Sequence, residues 1–157
     1  MQQYRQSWSG AACGAVLGLL LAGGCAGGRQ VPDFKFVTVD GQERTISSFR
    51  GEPVVLNYFG KSCVPCMAEL PRFQDAYTAK QGQFEMIILA GDEDGLKDYV
   101  SGQGYNMTFG VDKGGMAKLN VSAIPHTFFI DRLGRITYDQ VGEISGAEFD
   151  RQLQRIL

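Results

Sequence analysis

The chain has 157 residues, enough for one ordinary domain and too few for two comfortable ones. Hydrophobic residues make up 44% and charged residues 20%, a balance that excludes a disordered chain. A net charge of −2, with no run of basic residues, excludes a nucleic-acid surface.

The first stretch, MQQYRQSWSG, carries one Arg and leads into the apolar run AACGAVLGLLLAGGC. From Ala11 to Gly24 this run is shorter than the about 20 residues of a comfortable membrane span. It suits the central region of a secretory signal. The run ends in Leu21-Ala22-Gly23-Gly24-Cys25, which resembles a bacterial lipobox. On that reading residues 1–24 are a lipoprotein signal peptide, and Cys25 is lipidated and becomes the new N-terminus. A plain signal cut near Gly24 or Ala26, and an uncleaved anchor, are the competing readings. Residues 25–30 then form a lipidated tether, with AGGRQ as a short flexible linker. Residues 31–157 form the folded domain. Gly27 stands two after Cys25 where an Asp would signal inner-membrane retention, so the choice of membrane is open.

Processing changes the cysteine count. Cys13 leaves with the signal and Cys25 carries lipid, so Cys63 and Cys66 are the thiols of the mature domain. An exported domain meets an oxidising compartment, where one dithiol persists as a disulfide. A CxxC bridge closes too small a loop to staple a fold.

Along the domain, Phe34 to Val39 predicts a strand, Asp40-Gly41 a hairpin turn and Arg44 to Ile46 the return strand. VVLNYF after Pro53 is apolar on both faces apart from Asn57, as a central strand covered on both sides requires. A helical stripe runs from about Val64 to Lys80 through Met67, Leu70, Phe73, Ala76 and Tyr77, with a kink expected at Pro71. Phe84 to Ala90 is a second buried strand, completing a βαβ unit with a right-handed crossover. A helix over Asp94 to Gln103, a strand over Met107 to Val111 and a helical turn over Met116 to Leu119 follow. Thr127 to Ile130 and Arg135 to Val141 read as an antiparallel pair about Leu133-Gly134. Ser145 to Glu148 is a capping box opening a last helix with Phe149, Leu153 and Ile156 on one face. The class is α/β, with a central mixed sheet flanked by helices and an N-terminal β-hairpin extension.

The stretch FGKSCVPC admits three chemistries. A phosphate loop needs Gly five residues before Gly60-Lys61-Ser62, and Val55 stands there, inside a strand. A structural zinc site needs four ligands, and the mature chain offers only Cys63, Cys66 and His126. No metal is expected. A cycling dithiol fits. Cys63 falls where the central strand ends and a helix begins, so free helix amides meet its thiolate. Cys66 lies one turn further in, placed to resolve a mixed disulfide. Pro65 is tolerated in the first turn and stiffens the loop, and Lys61 adds positive charge nearby. The redox-active Cys63–Cys66 disulfide needs no further cofactor.

Three stretches carry a family likeness: Pro32-Asp33-Phe34, VVLNYFGKSCVPCMAELP and VSAIPHTFFIDRLGRI. The chain resembles TlpA/ResA-type thioredoxin-like lipoproteins, which are membrane-tethered thiol–disulfide oxidoreductases, over about Val31 to Leu157. The resemblance implies a thioredoxin-like fold and a cis Pro125 packed beside the disulfide. Ile124 inherits the role of pairing its backbone with bound substrate. Thioredoxins carry a buried Asp where this chain has Asn57. The TlpA/ResA group shares the Asn and adds a Glu three residues after the second cysteine, here Glu69, which shuttles a proton. The family's usual Trp before the first cysteine is replaced by Ser62, and its Thr after the cis proline by His126. At His126 two readings stand: a strand residue at a sheet end, or a titrating neighbour of Cys63.

By the same resemblance, the substrates are disulfide-containing exported proteins such as apocytochrome c, and a membrane thiol-transfer protein of DsbD or CcdA type is the electron donor. The setting is the bacterial cell envelope, lipid-anchored and facing the periplasm. The direction, reductant or oxidant, is left open. A Sco-like copper chaperone is an alternative, though that family uses CxxxC. A peroxiredoxin-type peroxidase is another, though it needs a hydroxyl where Gly60 stands.

Overall fold

The computed structural model describes residues 28–92 and 94–157. The expected signal segment and the lipidation site Cys25 lie outside the described residues.

Eight strands form one mixed sheet among the described residues. In chain order they are β1 (Arg29–Gln30), β2 (Lys35–Thr38), β3 (Glu43–Thr45), β4 (Val54–Phe59), β5 (Glu85–Ala90), β6 (Thr108–Lys113), β7 (His126–Ile130) and β8 (Arg135–Val141). The helices are α1 (Val64–Ala79), α2 (Leu96–Gln103), α3 (Gly115–Leu119) and α4 (Gly146–Ile156), with a 3-10 turn over Ile46–Phe49. The spatial order is β1-β8-β7-β4-β5-β6-β2-β3. β4, β5 and β6 run parallel, while β7, β8 and β2 are antiparallel to their neighbours. β4 is central, and all six of its residues are buried. This is the thioredoxin-like fold.

The period of two along β4 divides its side chains between two cores. Val55 and Phe59 join Cys66, Leu70 and Phe73 of α1, and Phe149, Leu153 and Ile156 of α4. Val54, Leu56 and Tyr58 face the other way, against Phe34, Ile46, Phe49 and Leu119. On β7, Phe129 belongs to the first core and Phe128 to the second. Asn57 therefore points to the α1 face, where burying an amide is costly unless it is hydrogen-bonded.

Three expectations change in detail. Arg29 and Gln30, read as tether, pair antiparallel with Ile136 and Arg135, so these two residues belong to the sheet. The N-terminal hairpin docks on β6, with Lys35 opposite Lys113, and this pairing carries β6 two residues beyond its expected end. α2 begins at Leu96 because Gly95 sits in the left-handed region (φ 61°) and stops the helix from starting earlier. α1 continues through Pro71 as one element. Its ring removes one helical hydrogen bond, while the fully buried Leu70 and Phe73 anchor both sides. Ser145 caps the last helix as expected, its Oγ accepting from Glu148 N–H at 3.2 Å, while the Glu148 carboxylate meets Gln152 and Arg151.

Candidate active site

The central strand β4 ends at Phe59, and a tight turn over residues 60–63 passes the chain to α1. That turn is closed by the Cys63 N–H donating to Gly60 C=O at 3.0 Å. Cys63 is the N-cap of α1, with extended backbone (φ −90°, ψ 102°), and its Sγ accepts from the Cys66 N–H at 3.3 Å. A cap position normally holds an oxygen that satisfies an orphan helix amide. Here sulfur takes that place, and the amide and the positive end of α1 stabilise negative charge on it. Pro65 lies within the first turn, where its missing N–H costs nothing.

Cys63 and Cys66 form a disulfide. Their exposure differs as the two steps of exchange require. Cys63 is half-buried at the surface, whereas Cys66 is fully buried in the core. Val64 between them is 79% exposed, and Ile124 is 38% exposed, so two large apolar side chains stand in solvent around the disulfide.

Cys63 and Ile124 line one open groove with Gly60, Lys61, Asp92 and Asp94. The Ile124-Pro125 peptide is cis, Pro125 is buried, and its C=O accepts from the Gly142 N–H at 2.8 Å. Ile124 Cδ1 reaches to 2.9 Å from where a Cβ on Gly60 would stand. Gly60 is thus needed for Ile124 to close over the turn, a role the sequence reading missed. Lys61 crosses the groove toward α2, its Nζ 3.0 Å from the Cβ position of Gly95. Ser62 is exposed, so the side of Cys63 that a Trp would wall is open.

Glu69 lies one helical turn beyond Cys66 and is fully buried. Its Oε1 accepts from the Ile144 N–H at 2.6 Å. Arg72, one turn further along α1, donates to the Ile144 C=O, so the two side chains hold the N–H and the C=O of one residue of the β8–α4 loop. Burial pushes the Glu69 carboxyl up to about 7. The Ile144 N–H, the Arg72 charge and the Asn57 amide oppose that rise, and Glu143 adds to it. A carboxyl so poised exchanges protons at neutral pH.

Asn57 and Thr127 complete this buried side, with Asn57 Nδ2 donating to Thr127 Oγ1 at 2.9 Å. Asn57 was visible in the sequence as the polar residue in an apolar strand. Thr127 carried no signal, because its partner is 70 residues away. His126 takes the other face. Its ring stacks on Phe128 at 4.1 Å, its Nε2 meets Asp139 Oδ2 at 2.9 Å, and Phe128 belongs to the core opposite Cys66. The strand-residue reading of His126 fits this placement. A Cu(I) site made of the dithiol and His126 does not, because the sheet lies between them.

A model of the Redoxin family matches residues 26–153. Among curated proteins, the chain is 28% identical over 134 residues to the thiol-disulfide oxidoreductase ResA of Bacillus thuringiensis subsp. konkukian, covering 82% of this chain and 78% of that protein. It is 30% identical over 135 residues to ResA of Geobacillus kaustophilus, with 82% and 77% covered. Among solved structures, a thiol:disulfide interchange protein of the thioredoxin family from Chlorobium tepidum superposes with a TM-score of 0.73 at 26% identity, covering 83% of this chain and 97% of that one.

Proposed function

The chain belongs to the Redoxin family and is a ResA/TlpA-type thiol–disulfide oxidoreductase; from that premise, we propose that it is a lipid-anchored envelope enzyme that reduces disulfides of exported proteins, apocytochrome c among them. The observation that carries the reading is Cys63 as the N-cap of α1, at the mouth of a groove that Ile124 borders. The anchoring part rests on the lipobox ending at Cys25. Among the described residues no helix is long and apolar enough to cross a membrane.

The steps follow from this geometry. The Cys63 thiolate attacks one sulfur of the substrate disulfide, and that bond breaks as the mixed disulfide forms. The first substrate sulfur leaves as a thiolate and is protonated. The Cys66 thiol then gives its proton to the Glu69 carboxylate and attacks the Cys63 sulfur. This expels the second substrate thiolate and restores the Cys63–Cys66 disulfide. Two electrons have passed to the substrate. A membrane thiol-transfer protein of DsbD or CcdA type returns them, taking the enzyme's disulfide back to a dithiol. Ile124, by family analogy, aligns the substrate backbone across Cys63, and the exposed Val64 and Ile124 give it an apolar landing.

The test is reduction of insulin and of an oxidised apocytochrome c CxxCH peptide with dithiothreitol as electron source. Cys63→Ser is expected to abolish both reactions, and Cys66→Ser to hold substrate as a mixed disulfide on Cys63. Wild-type protein that fails on both substrates sinks the reductase reading. Mass spectrometry of the mature N-terminus tests the anchor, with an acylated Cys25 expected. An unmodified N-terminus downstream of Cys25 removes that part.

A further inference from the structure

Glu69 and Arg72 stand three residues apart on α1, so their side chains leave the same helical face one turn apart. They carry opposite charges, yet they form no ion pair with each other. Both reach instead to one residue of the β8–α4 loop. Glu69 Oε1 accepts from the Ile144 N–H at 2.6 Å, and Arg72 Nη2 donates to the Ile144 C=O. The Arg72 stem is guided on the way. Its Cζ lies 5.9 Å from the centroid of the Phe73 ring, and its Cδ passes 3.3 Å from where a Cβ on Gly146 would stand. Gly146, the first residue of α4, thus leaves the space through which Arg72 reaches the loop.

This arrangement makes the two oxygens of Glu69 different. Oε1 is taken by a short N–H bond, and a carboxylic acid accepts best at the oxygen that lacks the proton. Oε2 is buried and has no hydrogen-bond partner among the described residues. Oε2 is therefore the oxygen left to take up and release a proton. That division depends on which way the Ile144 backbone faces. Ile144 belongs to no helix or strand, so no ladder of hydrogen bonds orients its N–H. Its buried side chain fixes where the residue sits, and the bond from Arg72 fixes the direction of its backbone. The other end of the loop is held independently, where the Gly142 N–H donates to the Pro125 C=O at 2.8 Å.

We propose that Arg72 is a positioning residue: by holding the Ile144 C=O it aims the Ile144 N–H at Glu69 Oε1 and reserves Oε2 for the proton exchanged with Cys66. Arg72 acts on the dithiol through Ile144 and Glu69, and the inference rests on the reading of Glu69 as the proton carrier of Cys66. The charged groups acting on Glu69 are Arg72, from its own helix, and Glu143, from the β8–α4 loop. Glu143 opposes the ionised carboxyl, whereas the Ile144 N–H and the Arg72 charge favour it. Loss of Arg72 frees the Ile144 end of the loop and leaves the Pro125 end in place. Its effect therefore falls on turnover and not on substrate binding.

The first experiment uses the full chain in its oxidised state, where the cysteines do not titrate and no substrate is needed. As pH rises from about 5 to about 9, the Ile144 amide proton should shift downfield together with the Glu69 carboxyl, because its bond to the ionised acid is charge-assisted. In Arg72→Met that amide should lose the pH-dependent shift and exchange with solvent at least about tenfold faster, and the Glu69 midpoint should rise. Arg72→Gln, polar and too short to reach the loop, takes its place if the methionine variant does not fold. With insulin as substrate, kcat of the variant should fall about tenfold while KM stays within about twofold. An Ile144 amide that follows Glu69 unchanged in the folded variant overturns the proposal. So does a variant whose only change is a lower unfolding midpoint, the mark of a purely structural arginine. Failure of the Glu69 reading appears separately, as a Glu69→Gln protein with wild-type rate and pH profile, and failure of the reductase reading as wild-type protein inactive on insulin.

Discussion

Glu69 Oε1 accepts a 2.6 Å hydrogen bond from the Ile144 N–H, so a carboxyl one turn beyond the resolving cysteine holds a loop from the far end of the domain. The same loop reaches the cis proline, since the Gly142 N–H donates to the Pro125 C=O at 2.8 Å. The buried Glu69 and the cis proline therefore share one short segment, residues 142–144.

Removing the carboxyl should change the pH dependence of turnover. Glu69→Gln keeps an acceptor for Ile144 and loses the exchangeable proton. Insulin reduction by this variant is expected to fall about a hundredfold, the low end of general acid–base effects, and its pH profile to lose the inflection near 7. A variant with wild-type rate and profile removes Glu69 from the proton path.

The same group makes stability depend on pH. Its native carboxyl sits near 7 against an ordinary 4.5, so between those values the native state holds the proton more tightly than the unfolded chain. The sign follows: Glu69 imposes no penalty below about 4.5, and its penalty grows as pH rises through 7. Oxidised wild-type protein is expected to lose about 2 to 3 kcal/mol from this source between pH 5 and pH 8. Denaturant unfolding of the wild type and Glu69→Gln at both pH values measures it. Equal pH dependence in the two proteins contradicts the shift.

Gly60→Val should damage the site with little harm to the fold. A Cβ at that position falls 2.9 Å from Ile124 Cδ1, the end of a side chain already 38% exposed. Ile124 can swing away at a cost of under about 1 kcal/mol, but then it no longer borders the groove beside Cys63. The expected result is a rise in KM for peptide disulfides of about tenfold with a nearly unchanged unfolding midpoint. Unaltered kinetics refute the closure of Ile124 over Gly60.

Asp139→Asn tests the separation of the two faces. Asp139 meets His126 behind the sheet, and His126 stacks on Phe128 in the core opposite Cys66. Insulin reduction is expected to stay within about twofold of wild type across pH 6–8, with stability falling by under about 1 kcal/mol for the weakened, half-exposed hydrogen bond. A change in the pH profile shows that His126 does reach the dithiol.

Elements with strong local patterns were legible in the sequence. The β4–α1–β5 unit follows from two buried runs about an amphipathic stripe. The last helix follows from Ser145 and Glu148, and β8 from the alternation after Leu133-Gly134. The dithiol was legible too, because a CxxC at the start of a helix is itself a local pattern. Pairing across long separations was not. Nothing local places Lys35 opposite Lys113 or carries the first hairpin to the far edge of the sheet. Arg29 and Gln30 read as linker because two polar residues show no periodicity until β8 supplies a partner.

For the site, composition and spacing alone determined which atoms react: two thiols, three residues apart, at a strand–helix junction. The tertiary structure decided what surrounds them. Glu69 is a surface glutamate by its helical neighbours and becomes a buried acid where the β8–α4 loop, through the Ile144 N–H, closes over it. His126 lies next to the cis proline in sequence and is turned away from the dithiol by the two-residue period of its strand. The physical reason is common to both. A side chain's reactivity is set locally by its functional group. Its charge state is set by desolvation and by partners that only the folded chain assembles.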